Sequence, residues 1–272
     1  MRAGYALDSA GMVEPIAYLP RGAVSRAPVR TERAAPAVHL ERVVIAYFAV
    51  HADTELGGVV RTLPEGCADL IVDVGPAQVR ALLNGPRRAA RVFEHAPGTR
   101  LFGVQLRPGA ARLLVDTPAR DLLDRSTPLE ELFSKSAVGE LVASLAAARE
   151  LASAVPALER FVASELRGAP SVDERVARAV DRLVEQRGAV DVAALARHVG
   201  ASPRNLARLF DVWIGLGPKE LARMVRFQAI LEALEQGDRP AWASLAASLG
   251  YADQSHLIRD FARFAGVTPT AL

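Results

Sequence analysis

The chain has 272 residues, 50% hydrophobic and 24% charged, with a net charge of +2. That length suits one large domain or two ordinary ones, and a balance so near neutral does not announce a nucleic-acid partner through composition. The single cysteine excludes an internal disulfide framework and fits a reducing compartment. The N-terminal MRAGYALDSAGMVEP lacks an apolar run of signal-peptide length. The longest nearly apolar stretch, 138–155, is broken by Gly139, Glu140, Arg149 and Glu150, so it does not span a bilayer. A soluble, cytoplasmic protein without a membrane partner is expected.

Residues 1–40 are rich in Pro, Gly, Arg and Ala without clear period and read as irregular chain. From about 43 to 107 the pattern is strand-like. Val43–Phe48, Val59–Leu63, Leu70–Val74 and Leu101–Leu106 are short and β-branched or aromatic, and Gly/Pro turns such as Pro64-Glu65-Gly66 and Asn84-Gly85-Pro86 separate them. The period then changes. Segments 108–114, 117–123 and 127–133 each read as a short helix with Pro near its start, where a missing N–H costs nothing. A longer Ala/Leu helical region follows, with an expected interruption at Pro156. Arg167-Gly168-Ala169-Pro170 reads as a domain joint, and Ser171-Val172-Asp173-Glu174 has capping-box spacing. No strand candidate follows. The expected fold class is α+β: a mixed strand/helix domain over 1–167, with helices over about 108–166, then an all-α domain of about seven helices over 171–272.

Two segments of this second part share one design. Asp191 caps a helix that Gly200 stops; Ser202 then caps a second, with Pro203 in its first turn, running to about Trp213. Leu206, Leu209, Phe210 and Trp213 fall on the second helix's inner face, and Arg204, Ala207, Arg208 and Asp211 on its outer face. The second copy runs from Trp242 to Gly250, restarts at Asp253, and continues from Gln254 to Ala265. There Leu257, Phe261 and Phe264 point inward, while Ser255, Arg259 and Arg263, four apart, form an outer stripe with Gln254 and His256 at its N-terminal end. The copies lie about fifty residues apart, joined by one helix from Pro218 to Gln236. A helix N-terminus carrying Arg, Gln, Ser and His offers donors to base edges and phosphates in a major groove. Residues 171–272 hold thirteen Lys/Arg against twelve Asp/Glu, so placed contacts must outweigh bulk attraction.

Leu195-Ala196, Ser202, Arg208-Leu209-Phe210, Gly217-Pro218, Leu221, Arg226 and Ala229 resemble the first half of the AraC/XylS-type DNA-binding domain. Leu245-Ala246, Leu249-Gly250-Tyr251, Asp253 to Leu257, Arg259, Phe261, Phe264, Gly266 and Thr268-Pro269 resemble its second half. The resemblance covers about 100 residues. It implies a seven-helix domain whose recognition helices, about 203–213 and 254–265, enter successive major grooves of double-stranded DNA. The residues matched to DNA-reading positions are Arg204, Ala207 and Arg208 in the first helix and Gln254, Ser255, His256 and Arg259 in the second. Ala207 departs from the polar residue often found there, and would read little or touch a thymine methyl.

Pro64 to Ile71 and Phe102 to Ala110 resemble a sensor-like domain found ahead of some AraC-type regulators. From the residues alone, Pro64-Glu65-Gly66 is a turn, and Arg107-Pro108-Gly109 is a strand-to-helix junction that either needs its Gly and Pro sterically or holds an anion. Tyr18, Tyr47, Phe48, Phe93 and Phe102 are the candidate aromatic lining of a pocket, most of them expected in the core. HExxH, GxSxG, GxGxxG and P-loop patterns are missing, and His39, His51, His95 and Cys67 lack metal-ligand spacing. No enzyme activity, metal or cofactor is expected. The expected function is sequence-specific DNA-binding transcription regulation, modulated through the N-terminal domain. A small-molecule effector, a homodimer and, for an activator, RNA polymerase are further partners. Two alternatives stand: a DNA-alkylation-repair-type regulator accepting methyl groups on Cys67, and a constitutive DNA binder whose N-terminal domain only dimerises.

Overall fold

A computed structural model describes residues 29–166, 171–235 and 241–269. The joint expected at 167–170, Tyr18 and the helix stop at Gly237 lie outside the described residues. Six strands form one antiparallel sheet in the order β1 (Val29–Ala34), β2 (Val44–Ala52), β7 (Arg100–Leu106), β4 (Ala68–Val74), β5 (Val79–Asn84), β8 (Ser126–Pro128). β3 (Gly58–Thr62) and β6 (Arg91–His95) pair with each other as a separate two-stranded ribbon. Short helices α1 (Ala111–Leu114) and α2 (Ala119–Leu122) follow, then α3 (Lys135–Ala147) and α4 (Leu151–Glu165).

The side-chain alternation of β4 sets up both faces of the sheet. Leu70 and Val72 are fully buried and join Tyr47, Leu83, Phe102 and Val104 against Leu141, Leu145, Leu158 and Val162 of α3 and α4. Asp69, Ile71 and Asp73 point the other way, where the β3–β6 ribbon roofs a cavity. A sheet face that would otherwise meet water is therefore enclosed.

Several expectations are corrected here. Part of the span read as irregular, 1–40, is the edge strand β1; its Arg30, Glu32 and Arg33 suit a strand bonded on one side only. Two further strands, β5 and β6, fall where none was expected; β6 carries Arg91, Glu94 and His95. Segment 127–133 is not one helix: Ser126–Pro128 pairs with β5 as β8, and only 129–131 make a 3-10 turn. The Ala/Leu helix breaks at 148–150, and Pro156 sits inside α4. Charges from the sheet decide that break. Arg100 donates to the carbonyls of Ala146 (3.2 Å) and Ala148, catching the end of α3, while Glu32 accepts from the Leu151 N–H at 3.0 Å and starts α4.

The rest is helical: α5 (Glu174–Glu185), α6 (Val192–His198), α7 (Pro203–Trp213), α8 (Pro218–Glu235), α9 (Trp242–Ser248) and α10 (Gln254–Ala265), six helices among the described residues. Asp173, rather than Ser171, caps α5, accepting from the Arg175 N–H at 2.9 Å. Their shared core runs from Val176 and Leu183 through Leu206, Phe210, Phe227 and Ile230 to Leu257 and Phe264, and Leu63 of the strand-rich part joins it. No helix among the described residues is long and apolar enough to cross a membrane.

Candidate nucleic-acid interface

Each paired-helix unit is built by local chemistry. Asp191 accepts from the Ala194 N–H (2.8 Å), Ser202 from the Asn205 N–H (3.2 Å) and Asp253 from the His256 N–H (2.7 Å), each meeting a free donor at a helix start. Gly200 and Gly250 take φ of +69° and +70°, a left-handed turn that lets the second helix of each unit fold back across the first. Leu206 and Leu257 are fully buried, as are Phe210 and Phe261. Trp213, expected inside, is half-buried and touches both cores.

Of the seven candidate reading residues, Arg204, Ala207, Arg208, Gln254, Ser255 and Arg259 are exposed. His256 is half-buried, packed edge-on to Tyr251 at 5.1 Å. Arg208 donates to Asn205 of its own helix (3.1 Å), and Arg259 to the Ser255 carbonyl of its own (3.2 Å). Two expected outer residues are engaged elsewhere: Asp211 pairs with Arg120 of α2 at 2.9 Å, and Arg263 with Glu220 of α8 at 3.3 Å. The free surface of each helix is therefore its N-terminal half.

The strand-rich part holds the other half of each. α2 packs against α7, and Gly215, just beyond α7, lies so close that a Cβ there would sit 2.5 Å from the Ala119 carbonyl oxygen. At α10, the Phe264 carbonyl accepts from the Ala90 N–H (2.7 Å) and the Ala265 carbonyl from Arg61 (2.9 Å), so the ribbon region satisfies acceptors that a helix end leaves open. Between them, Gln228 of α8 donates to the Pro64 carbonyl at 2.6 Å, and Gly66 is packed against Leu221.

Inside its own domain α10 is pinned by a buried charge. Asp260 is 3% exposed and accepts two hydrogen bonds from Arg223 of α8, the Nε one at 3.1 Å. Arg226 lies 4.7 Å over the Tyr251 ring. Sequence reasoning missed Asp260; its signal was a carboxylate on the same face as Leu257, Phe261 and Phe264.

The cavity beneath the ribbon measures about 170 Å³. Phe48, Val50, Ile71 and Leu101 make an apolar cluster along it, and Phe93 and His95 contribute from the ribbon. Of the candidate aromatics, Phe48 and Phe93 line it, whereas Tyr47 and Phe102 are buried in the core beyond the sheet. Glu65 and Asp69 also line it. Burial, then the neighbouring Asp69 carboxyl, push Glu65 well above the usual carboxylate range; burial raises Asp69 to about 7, against the pull of Arg87 and Arg33. Burial likewise lowers the His95 pKa and pushes the Cys67 thiol up. The Arg107 guanidinium, proposed as an anion holder, donates instead to the Glu41 carbonyl.

Residues 195–272 match the family described as a helix-turn-helix domain, and residues 32–128 a domain of unknown function, DUF6597. No curated protein matches the chain by sequence. Among solved structures, ToxT from Vibrio cholerae aligns over 91% of this chain and 97% of its own, with 10% identity and a TM-score of 0.43. ToxT from Vibrio cholerae O395 bound to (E)-4-(8-methylnaphthalen-1-yl)but-3-enoic acid aligns over the same shares, with 11% identity and a TM-score of 0.42. Unsaturated fatty acid bound wild-type ToxT from strain SCE256 aligns over 91% and 94%, with 11% identity and a TM-score of 0.38.

Proposed function

We propose, from the premise that residues 195–272 are a helix-turn-helix domain of the AraC type, that this chain regulates transcription by binding a specific DNA sequence through α7 and α10. That family consists of transcription regulators, which are not enzymes. The observation that carries the reading is the matched pair of side-chain-capped helices whose N-terminal halves alone stand free. A free, capped N-terminus is the part of a recognition helix that contacts base edges. Arg204 and Arg208 suit guanine edges or phosphates, Gln254 suits adenine, and Arg259 suits guanine or phosphate, with Ala207, Ser255 and His256 beside them. The two helices take successive major grooves on one face, and the binding site has two half-elements about one helical turn apart.

The N-terminal domain, residues 1–167 by this reading, modulates the second, 171–272. Its contacts with the C-terminal halves of both reading helices favour that role over one of dimerisation alone. An activator of this kind would also touch RNA polymerase. The buried Cys67 thiol, held away from its thiolate, argues against a methyl-accepting role, since the thiolate is the nucleophile.

The test begins by selecting an operator from random duplexes with the purified chain and footprinting it. Arg208→Ala and Arg259→Ala should each weaken binding by about 1–3 kcal/mol. Unchanged gel shifts for both, or a footprint confined to one groove, would overturn the assignment.

A further inference from the structure

The cavity under the β3–β6 ribbon is better fitted to one charge of ligand than to the other. Its cationic groups are already committed. Arg80 pairs with Asp73, and Arg87 donates to Asn84 (3.2 Å) and Ser126 (2.9 Å) with its guanidinium 5.8 Å from the Phe93 ring centroid. Arg33, behind the lining, donates to the Gln105 Oε1 at 2.7 Å. The anionic groups are not so committed. Glu65 accepts from Gln105, but Asp69 makes no hydrogen bond among the described residues. Asp73 is 6% exposed and its Oδ1 has no partner. A partly open, largely apolar space thus holds half-buried carboxyls with unused acceptor capacity and one buried oxygen, Asp73 Oδ1, whose burial is costly unless a donor meets it.

We infer that this cavity binds a small organic cation, an ammonium or amidinium head placed between Glu65 and Asp69 with an apolar or aromatic body along Phe48, Ile71 and Leu101. The size agrees: an apolar protein cavity of roughly 150 Å³ accepts benzene. A cation offsets the repulsion between two neighbouring carboxyls and supplies donors to them. An anion would meet the same carboxyls with no free guanidinium to answer it. A neutral body alone would leave them unpaired.

The inference rests on the regulator reading for its consequence, because the cavity wall is also the joint. Glu65 lines the cavity, and its neighbours Leu63, Pro64 and Gly66 touch the helical domain, Pro64 and Gly66 through α8. The ribbon roofs the cavity, and Arg61 of β3 with Ala90 beside β6 holds the end of α10. A cation that draws Glu65 and Asp69 together acts on both contacts at once.

The groups facing the two carboxyls are Arg33 from β1, Gln105 from β7, Cys67 and Arg87, and Arg107, just past β7, faces Cys67. Asp181 of α5 faces Arg107 in turn.

The experiment uses the full chain with three probes of one shape: phenethylamine, 2-phenylethanol and phenylacetate. Phenethylamine should raise the melting temperature in a concentration-dependent way and bind at least about tenfold more tightly than the alcohol, and phenylacetate should not bind. Its affinity should rise from about pH 5 to pH 8 as the carboxyls ionise, while the alcohol's stays level. The pH series needs no variant; Asp69→Asn, which keeps the shape, should abolish the amine response. Equal or tighter binding of alcohol or acid, or no response to the amine, overturns the inference. A chain that ignores the amine yet shifts its operator leaves the regulator reading standing. One that binds the amine and no DNA supports the ligand class and overturns the regulator reading.

Discussion

Replacing Asp260 by Asn tests whether α10 is held rigid by the charge beneath it. The carboxylate is 3% exposed, and it is hydrogen-bonded by the Arg223 guanidinium on α8, itself 24% exposed in its side chain. Removing one member of a buried ion pair costs about 3–5 kcal/mol, chiefly because the other charge is stranded. Arg223 retains some water and lies 5.9 Å from the Phe264 ring centroid, so the lower end applies, about 3 kcal/mol. At about 2–4 °C per kcal/mol, that lowers the melting temperature by roughly 6–12 °C. The assay is denaturant unfolding followed by fluorescence of Trp213 and Trp242. The double variant Asp260→Leu with Arg223→Met removes both charges and should recover most of the loss. A single variant costing under about 0.5 kcal/mol, or a double variant worse than the single, would refute the pinning argument. The contrast lies in α7, where Asp211 and Arg120 are both about half exposed; Asp211→Asn should cost under about 1 kcal/mol.

Leu206→Ala and Leu257→Ala remove fully buried side chains and should each cost about 2–5 kcal/mol of stability in a denaturant titration; a cost below 1 would mean that the helix pairs are not packed through them. The Asp69 carboxyl, at about 7 in the fold against an ordinary 3.8, keeps its proton where the unfolded chain has released it. Stability therefore falls as pH rises between those values, and the penalty is complete above 7. Asp69→Asn should raise the melting temperature at pH 8 and change it little near pH 4; equal shifts at both would discard the buried carboxyl as the cause. Gly215→Ala and Gly200→Ala both place a side chain at positive φ, but only at position 215 does the new Cβ meet backbone. The first should cost clearly more than the roughly 1–2 kcal/mol expected of left-handed strain alone. Equal losses in thermal melts would mean that the α2–α7 contact is not tight.

Trp213 illustrates how a sequence pattern misleads. Its spacing from Leu206 and Phe210 puts it on the apolar face, and helical period alone makes it a reporter of the helical domain. It lies instead where both cores meet, so its fluorescence also follows the joint. Pro156 misleads in another way: proline's missing N–H suggests a break, but the break falls where Arg100 and Glu32 engage helix ends. The charged residues of β1 and β6 hid strands whose partners, β2 and β3, lie elsewhere in the chain. For the candidate interface, caps and period were enough to place α7 and α10, whereas the engagement of Asp211 and Arg263 depended on partners in other elements.

What the sequence determined by itself was local and periodic. Capping side chains at Asp191, Ser202 and Asp253, glycines at 200 and 250, and a leucine in each second helix specify two helix pairs, because every one of those contacts spans only a few residues. What only the tertiary structure decided is what those helices lean on. The β4 alternation of Asp69, Ile71 and Asp73 would read as a wet sheet face; a ribbon from elsewhere in the chain closes over it and turns acidic side chains into the wall of a cavity. The strand-rich part and the helical domain are joined by hydrogen bonds from the Arg61 side chain to the Ala265 carbonyl and from the Gln228 side chain to the Pro64 carbonyl, between residues more than 150 apart, a separation at which no local pattern carries information.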